Sequence, residues 1–154
     1  MGIHVAACRK DDVSLIEQRE PPAAGLARHY FARQERGDST YLVAWVDGVP
    51  AGTGEVALTG RVELRNLHVD EEFRGRGVDT AIIVAAESIT SSGRLSVGVG
   101  LENYAARRLY ERLGFVASGE LETTTYSYVG ADGITRAATE TDEYLTKMLD
   151  ELRD

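Results

Sequence analysis

The chain has little to offer covalent cross-linking, metal binding or membrane insertion. Among its 154 residues Cys8 is the only cysteine, which excludes an intramolecular disulfide and suits a reducing compartment. Its three histidines, His4, His29 and His68, have no second histidine or cysteine at ligand spacing, so no metal site is expected. No apolar run is long enough to cross a bilayer. The first residues, MGIHVAACRKDD, lack a basic stretch followed by an apolar core. No signal peptide is therefore expected, and the expected compartment is the cytoplasm. Positive charge is also scarce. Seventeen Lys and Arg stand against 25 Asp and Glu, for a net charge of −8. That balance argues against nucleic acid and anionic membranes as partners. With 43% hydrophobic and 27% charged residues, the composition is that of a soluble globular chain, and its length suits one domain over residues 1–154.

The acidity is uneven. Residues 61–114 hold 8 basic and 8 acidic side chains, whereas residues 115–154 hold 3 and 9. The middle of the chain is thus the part least hostile to an anionic ligand, and the acidic flanks tolerate a cationic one.

Hydrophobic spacing gives the order β-α-α-β-β-β-α-β-α-β-β. Ile3–Cys8 reads as a strand, and Asp11-Asp12 caps a helix to about Arg19. Pro21-Pro22 interrupts it, and Ala23–Arg36 resumes helical spacing. Tyr41–Val46, Ala51–Leu58 and Val62–Val69 read as an antiparallel meander, the first two joined at Asp47-Gly48. Gly75–Ser91 is helical, Leu95–Val99 is a strand, and Asn103 caps a helix carrying Ala106, Leu109, Tyr110 and Leu113 on one face. Gly114 suits the position just past that helix. Phe115–Leu121, Thr124–Val129 and Glu143–Met148 complete the strands. The expected class is mixed α/β (α+β), with a mostly antiparallel central sheet flanked by helices.

The segment Val62–Ala81, VELRNLHVDEEFRGRGVDTA, carries the most chemistry. A strand runs through an acidic loop into Arg74-Gly75-Arg76-Gly77, ahead of a long helix. Glycines let the backbone approach a bound group, the first free N–H groups of the helix point at it, and two arginines stand beside it. Those features describe either a phosphate site or a solvated Arg-Gly turn. No Gly-Lys-Ser/Thr follows, so this is not a Walker loop, and the third glycine of the dinucleotide fingerprint is missing.

In this segment the chain resembles the GNAT superfamily of acyl-CoA-dependent N-acetyltransferases. The family pattern Gln/Arg-x-x-Gly-x-Gly/Ala is met by Arg74 and Gly77, with Asp79 where Gly or Ala is usual. Residues 103–115, NYAARRLYERLGF, resemble the second signature, an Asn near the cofactor and a Tyr preceding Leu-Gly-Phe. The resemblance implies that acetyl-CoA enters between the strands Glu63–Val69 and Leu95–Val99. Its pantetheine arm would lie on the backbone of Leu67, His68 and Val69, and its pyrophosphate on Arg74, Gly75, Arg76, Gly77, Val78 and Asp79, with Asn103 nearby. It further implies direct attack by an amine, with Tyr110 protonating the thiolate and Glu63 accepting the amine proton.

Each assignment has a plainer counterpart: Tyr110 as a core aromatic, Glu63 as an exposed strand carboxylate or a partner for Arg65, Asn103 as a helix cap only. The ring of His68 matters less than its backbone, Cys8 reads as a small buried residue, and Tyr126 and Tyr128 share one strand face. Asp79 brings a carboxylate to the proposed pyrophosphate, and a side chain rotated toward Arg74 or Arg76 relieves that conflict. The expected function is transfer of an acetyl group to a primary amine of a small molecule or a peptide. The other reading is a catalytically weak or inactive acyl-CoA-binding module. Oligomeric state is open between monomer and homodimer.

Overall fold

The computed structural model describes residues 2–149. Two compact units emerge from it, one of residues 2–95 with Leu149, the other Ser96–Met148. The element order of the described residues is the expected one, with two short 3-10 turns added.

In the first unit β1 (Ile3–Ala7), β2 (Ser39–Val46), β3 (Val49–Ala57) and β4 (Glu63–Val69) lie side by side in chain order. All three pairings are antiparallel. The β2–β3 turn falls at Asp47-Gly48, both with positive φ (50° and 78°), as a tight hairpin turn with right-handed strand twist requires. Alternation divides the sheet's side chains between its faces. On one face Tyr41 and Val43 pack with Cys8, Ile16 and Ala27. Those contacts seat α1 (Val13–Glu17) and α2 (Leu26–Glu35). Burial pushes the Cys8 thiol up to about 12, with Asp12 adding to the shift, so at neutral pH it is an inert thiol.

The other face receives α3 (Val78–Ile89), through Val78, Ile82, Ile83 and Ala86. Gly52 and Gly54 make that approach close. A Cβ on Gly52 would fall 2.8 Å from the His68 carbonyl and 3.0 Å from Val78, and one on Gly54 would fall 2.9 Å from Ile82. Here glycine is required by packing.

The second unit holds β5 (Arg94–Gly100, whose first two residues belong to the first unit), α4 (Tyr104–Arg112), β6 (Val116–Val129) and β7 (Thr135–Met148). Its strand order is β5-β7-β6. Here the expectation is corrected. Phe115–Leu121 and Thr124–Val129 are one 14-residue strand, and β7 begins eight residues before Glu143. They form a long antiparallel hairpin in which Thr123 pairs with Thr141 and Thr125 with Thr139. Threonine's β-preference and these cross-strand hydroxyl bonds extend it past the apolar pattern that marks its base.

Candidate active site

Strand β4 does not run regularly beside β3. Thr53 faces His68 and Glu55 faces Arg65, so Gly54 is opposed by two residues, Asn66 and Leu67. This is a β-bulge, and Asn66 adopts φ 55°, a conformation that Asn tolerates better than most side chains. The bulge is tied to a buried carboxylate. Asn66 Nδ2 donates to Glu55 Oε1 at 3.2 Å and Ser39 Oγ donates to Glu55 Oε2 at 3.0 Å. The Arg33 guanidinium lies 3.0 Å from the same Oε2 as an ion pair, though its Nε–H makes no aligned hydrogen bond. Glu55 is 1% exposed, so this network supplies the partners a buried charge needs.

Beyond Val69 the chain turns through Glu71–Phe73 into the Arg-Gly segment. Gly75 and Gly77 both take positive φ, 76° and 84°, with open space where a Cβ would stand. These conformations set the start of α3 at Val78 rather than at Gly75 as the spacing suggests. They also leave the loop backbone uncovered on the side a ligand would approach. Arg74 Nε donates to the Val69 carbonyl at 3.1 Å, and the Arg76 guanidinium lies 5.6 Å from the Phe73 ring centroid. The loop's exposed glycines, its helix N-terminus and its two arginines fit a pyrophosphate.

Asp79 turns neither way that the charge argument favours. Its Oδ1 accepts from the Thr80 N–H at 2.7 Å, so the carboxylate occupies a first-turn donor that an anion would otherwise use. Replacing Asp79 with glycine frees that donor and removes the negative charge. The expected result is several-fold tighter acetyl-CoA binding by calorimetry, for like-charge relief of roughly 1 kcal/mol at a partly solvated site. The ligand-free protein should lose about 0.5–1 kcal/mol of stability, since glycine and the lost first-turn acid both weaken the helix. Weaker binding by the variant would mean that the carboxylate organises the loop.

A strap joins this loop to the α1–α2 connection. Arg19 Nε donates to Asp70 Oδ2 at 2.6 Å, the same guanidinium pairs with Glu72, and it lies over the Phe73 ring. Behind the strap is a cavity of about 400 Å³. Ile16, Pro21, Leu26, Tyr30 and Pro50 give it an apolar wall, while Asn66, Leu67 and His68 of β4 supply its strand side. His68 Nε2 lies 3.2 Å from Asp70 Oδ1.

The structure thus brings Leu67 and His68 to this cavity, and His68 and Arg74 to an open groove sharing Arg19 and Asp70. Glu63 stands at the other end of β4 from His68. It is 6% exposed and accepts from Arg65 Nη2 at 2.9 Å, the partner that its plainer reading names. In the second unit Asn103 caps α4, its Oδ1 accepting from Ala106 N–H at 3.2 Å. Tyr110 is 7% exposed and meets Phe115 edge-on at 5.6 Å. Tyr126 and Tyr128 share a face with ring centroids 6.3 Å apart and are half exposed.

Sequence reasoning missed Glu55, the partners of Arg19 and the bulge. A faint signal existed for the bulge, in an Asn within a strand pattern beside a glycine-rich partner strand. None existed for Arg19, whose partners lie 51 and 53 residues away.

Comparison with known proteins adds relatives to this geometry. The profile of the Acetyltransferase (GNAT) family matches residues 10–115. An uncharacterized N-acetyltransferase of Methanocaldococcus jannaschii is 35% identical over 101 residues, 58% of this chain and 45% of that protein. The chain spans less than half the length of the curated relatives it matches. Among solved structures, the PaiA N-acetyltransferase of Thermoplasma acidophilum, in complex with coenzyme A, superposes with a TM-score of 0.64 at 15% identity, over 96% of this chain and 99% of that one. A GNAT family acetyltransferase of Elizabethkingia anophelis with acetyl-CoA bound gives 0.62 at 16% identity, over 96% and 98%. No helix among the described residues is long and apolar enough to cross a membrane, and none of their His, Cys, Asp and Glu side chains gather in threes about a metal position. On the match over 10–115, together with the Arg74–Gly77 loop and the strand and helix order, this chain belongs to the GNAT acetyltransferase family.

Proposed function

We propose that the protein transfers an acetyl group from acetyl-CoA to the primary amine of a small molecule or a peptide, by direct attack in a ternary complex. The observation that carries this reading is the loop Arg74–Gly77. It presents two left-handed glycines, two arginines and the N-terminus of a 12-residue helix, which together suit a pyrophosphate. Leu67, His68 and Val69 are proposed to receive the pantetheine arm on their backbone, and Asn103 to lie near the cofactor. Backbone N–H groups of β4 are proposed to hold the thioester carbonyl, where negative charge develops as the amine attacks. Tyr110 is proposed to protonate the departing thiolate. Its ring packs edge-on against Phe115, and a phenol can pack its ring while its hydroxyl donates. Glu63 enters as the sequence-based choice of proton acceptor, although its pairing with Arg65 leaves it less free for that task.

Acetyl-CoA should raise the melting temperature in a saturable way, because a ligand that binds only the native state stabilises it by mass action. At a hundred times its Kd the gain is about 2.7 kcal/mol, or some 5–10 °C for a chain of this size. Absence of both heat and thermal shift at millimolar acetyl-CoA would dismiss the reading. Thiol release from acetyl-CoA across a panel of amines then separates enzyme from binding module. The module reading draws on Asp79 at the Thr80 N–H, and it requires binding without turnover.

A further inference from the structure

Proton acceptance need not fall to Glu63, because a different pair lines the α1–α2 cavity. His68 forms part of the cavity wall on β4, and its side chain is 61% exposed. Its Nε2 faces Asp70 Oδ1 at 3.2 Å, and the other oxygen of Asp70 is held by Arg19 Nε at 2.6 Å. An ionised carboxylate only accepts hydrogen bonds, so this contact places the imidazole proton on Nε2 and leaves the lone pair on Nδ1. Among the described residues, Nδ1 makes no hydrogen bond. Arg19 fixes the carboxylate, the carboxylate fixes the tautomer, and a free basic nitrogen stands at a cavity with room for a small organic amine.

We propose that His68 accepts the proton of the acceptor amine, with Asp70 and Arg19 as the residues that position it; this rests on the acetyltransferase reading above. As the amine nitrogen attacks the thioester carbon, a C–N bond forms and the C–S bond breaks. The nitrogen's proton passes to His68 Nδ1, and the thiolate takes one proton, from Tyr110 in the scheme above. Charged groups gather around His68. Asp70, Glu71 and Glu72 follow it on the loop, and Glu20 lines the same cavity, against the guanidiniums of Arg19 and Arg74. The apolar wall of Ile16, Leu26, Tyr30 and Pro50 assigns the acceptor's class: a primary amine on a compact apolar body rather than an extended polycation.

Two measurements test this. Long-range proton–nitrogen NMR of histidine-labelled protein should find His68 in the Nε2–H tautomer at alkaline pH, and Asp70→Asn should shift that balance. A predominant Nδ1–H tautomer in the wild type overturns the assignment without reference to activity. The second is thiol release from acetyl-CoA, with phenethylamine and spermidine as the probe acceptors. Phenethylamine should be the better substrate. His68→Gln should lower kcat about 10²-fold near neutral pH while acetyl-CoA still binds. The defect should shrink as pH rises and free amine becomes abundant, a change that a merely structural role would not produce. A His68→Gln profile parallel to wild type, or a pH-dependent defect that follows Glu63→Gln instead, overturns the proposal, and spermidine as the preferred acceptor overturns the assigned class. Turnover of other amines in the panel but of neither of these two overturns the assigned class, and wild-type protein that binds acetyl-CoA but acetylates no amine of the panel dismisses the acetyltransferase reading itself, whatever the tautomer.

Discussion

Tyr110→Phe should lower turnover by on the order of 10²-fold or more, while acetyl-CoA binds with nearly unchanged affinity. The ring packs edge-on against Phe115 and is 7% exposed, and phenylalanine keeps that contact. Only the hydroxyl is lost. Removing a hydroxyl from a mostly buried position costs roughly 0.5–1.5 kcal/mol, so the variant should melt a few degrees lower and remain folded at assay temperature. A large loss of kcat with a small loss of stability assigns the hydroxyl to the chemical step. Turnover equal to wild type, measured with the amine that wild type acetylates best, would place Tyr110 in the core and leave the thiolate to be protonated by solvent.

The largest expected effect on stability is at Glu55. Its carboxylate is the common acceptor for Ser39 and Asn66 and the ion-pair partner of Arg33. Glu55→Ala removes all three interactions and leaves the half-buried Arg33 guanidinium without its carboxylate. Breaking a buried pair by deleting one partner costs about 3–5 kcal/mol, which for a chain of this length lowers Tm by roughly 10 °C. Glu55→Gln keeps hydrogen-bonding capacity and should lose less. Because Asn66 holds its left-handed backbone in part through Glu55, the alanine variant should also weaken acetyl-CoA binding, by loosening the bulge next to Leu67 and His68. A melting point within two degrees of wild type would show that the network contributes little.

Much of the fold was legible before the structure. The meander, the helices and their order follow from periodicity and turn residues. Asn103 and Gly114 mark the ends of α4 by side-chain and backbone rules that act over a few residues. Legibility fell where local rules compete. The helix at Gly75 starts three residues late because two glycines take left-handed conformations that a spacing rule cannot see. The β6–β7 hairpin runs longer than expected because threonine ladders, rather than buried apolar alternation, sustain its outer half.

The candidate site divided along the same line. The loop proposed to hold the pyrophosphate was legible as a contiguous motif. The Arg19–Asp70–His68 arrangement was not, since a guanidinium in the α1–α2 connection meets a carboxylate after β4 only when the chain has folded. Asp79 shows the limit of reading charge alone. Its carboxylate was expected to seek an arginine, and the nearer unsatisfied backbone N–H of Thr80 took it.

The Arg19 strap also limits how this protein can diverge. Arg19 bounds the proposed amine cavity and at the same time pairs with Asp70 and Glu72 beside the proposed phosphate loop. A change in residues 18–25 that admits a new amine but displaces Arg19 would uncover two carboxylates next to an incoming pyrophosphate. New acceptor preferences are therefore reached most readily by substitutions that leave this arginine in place, such as those at Ile16, Leu26 or Tyr30, while larger remodelling of the connection calls for a compensating loss of acid at Asp70 or Glu72. Under these proposals, acceptor choice and cofactor affinity are inherited together in this chain.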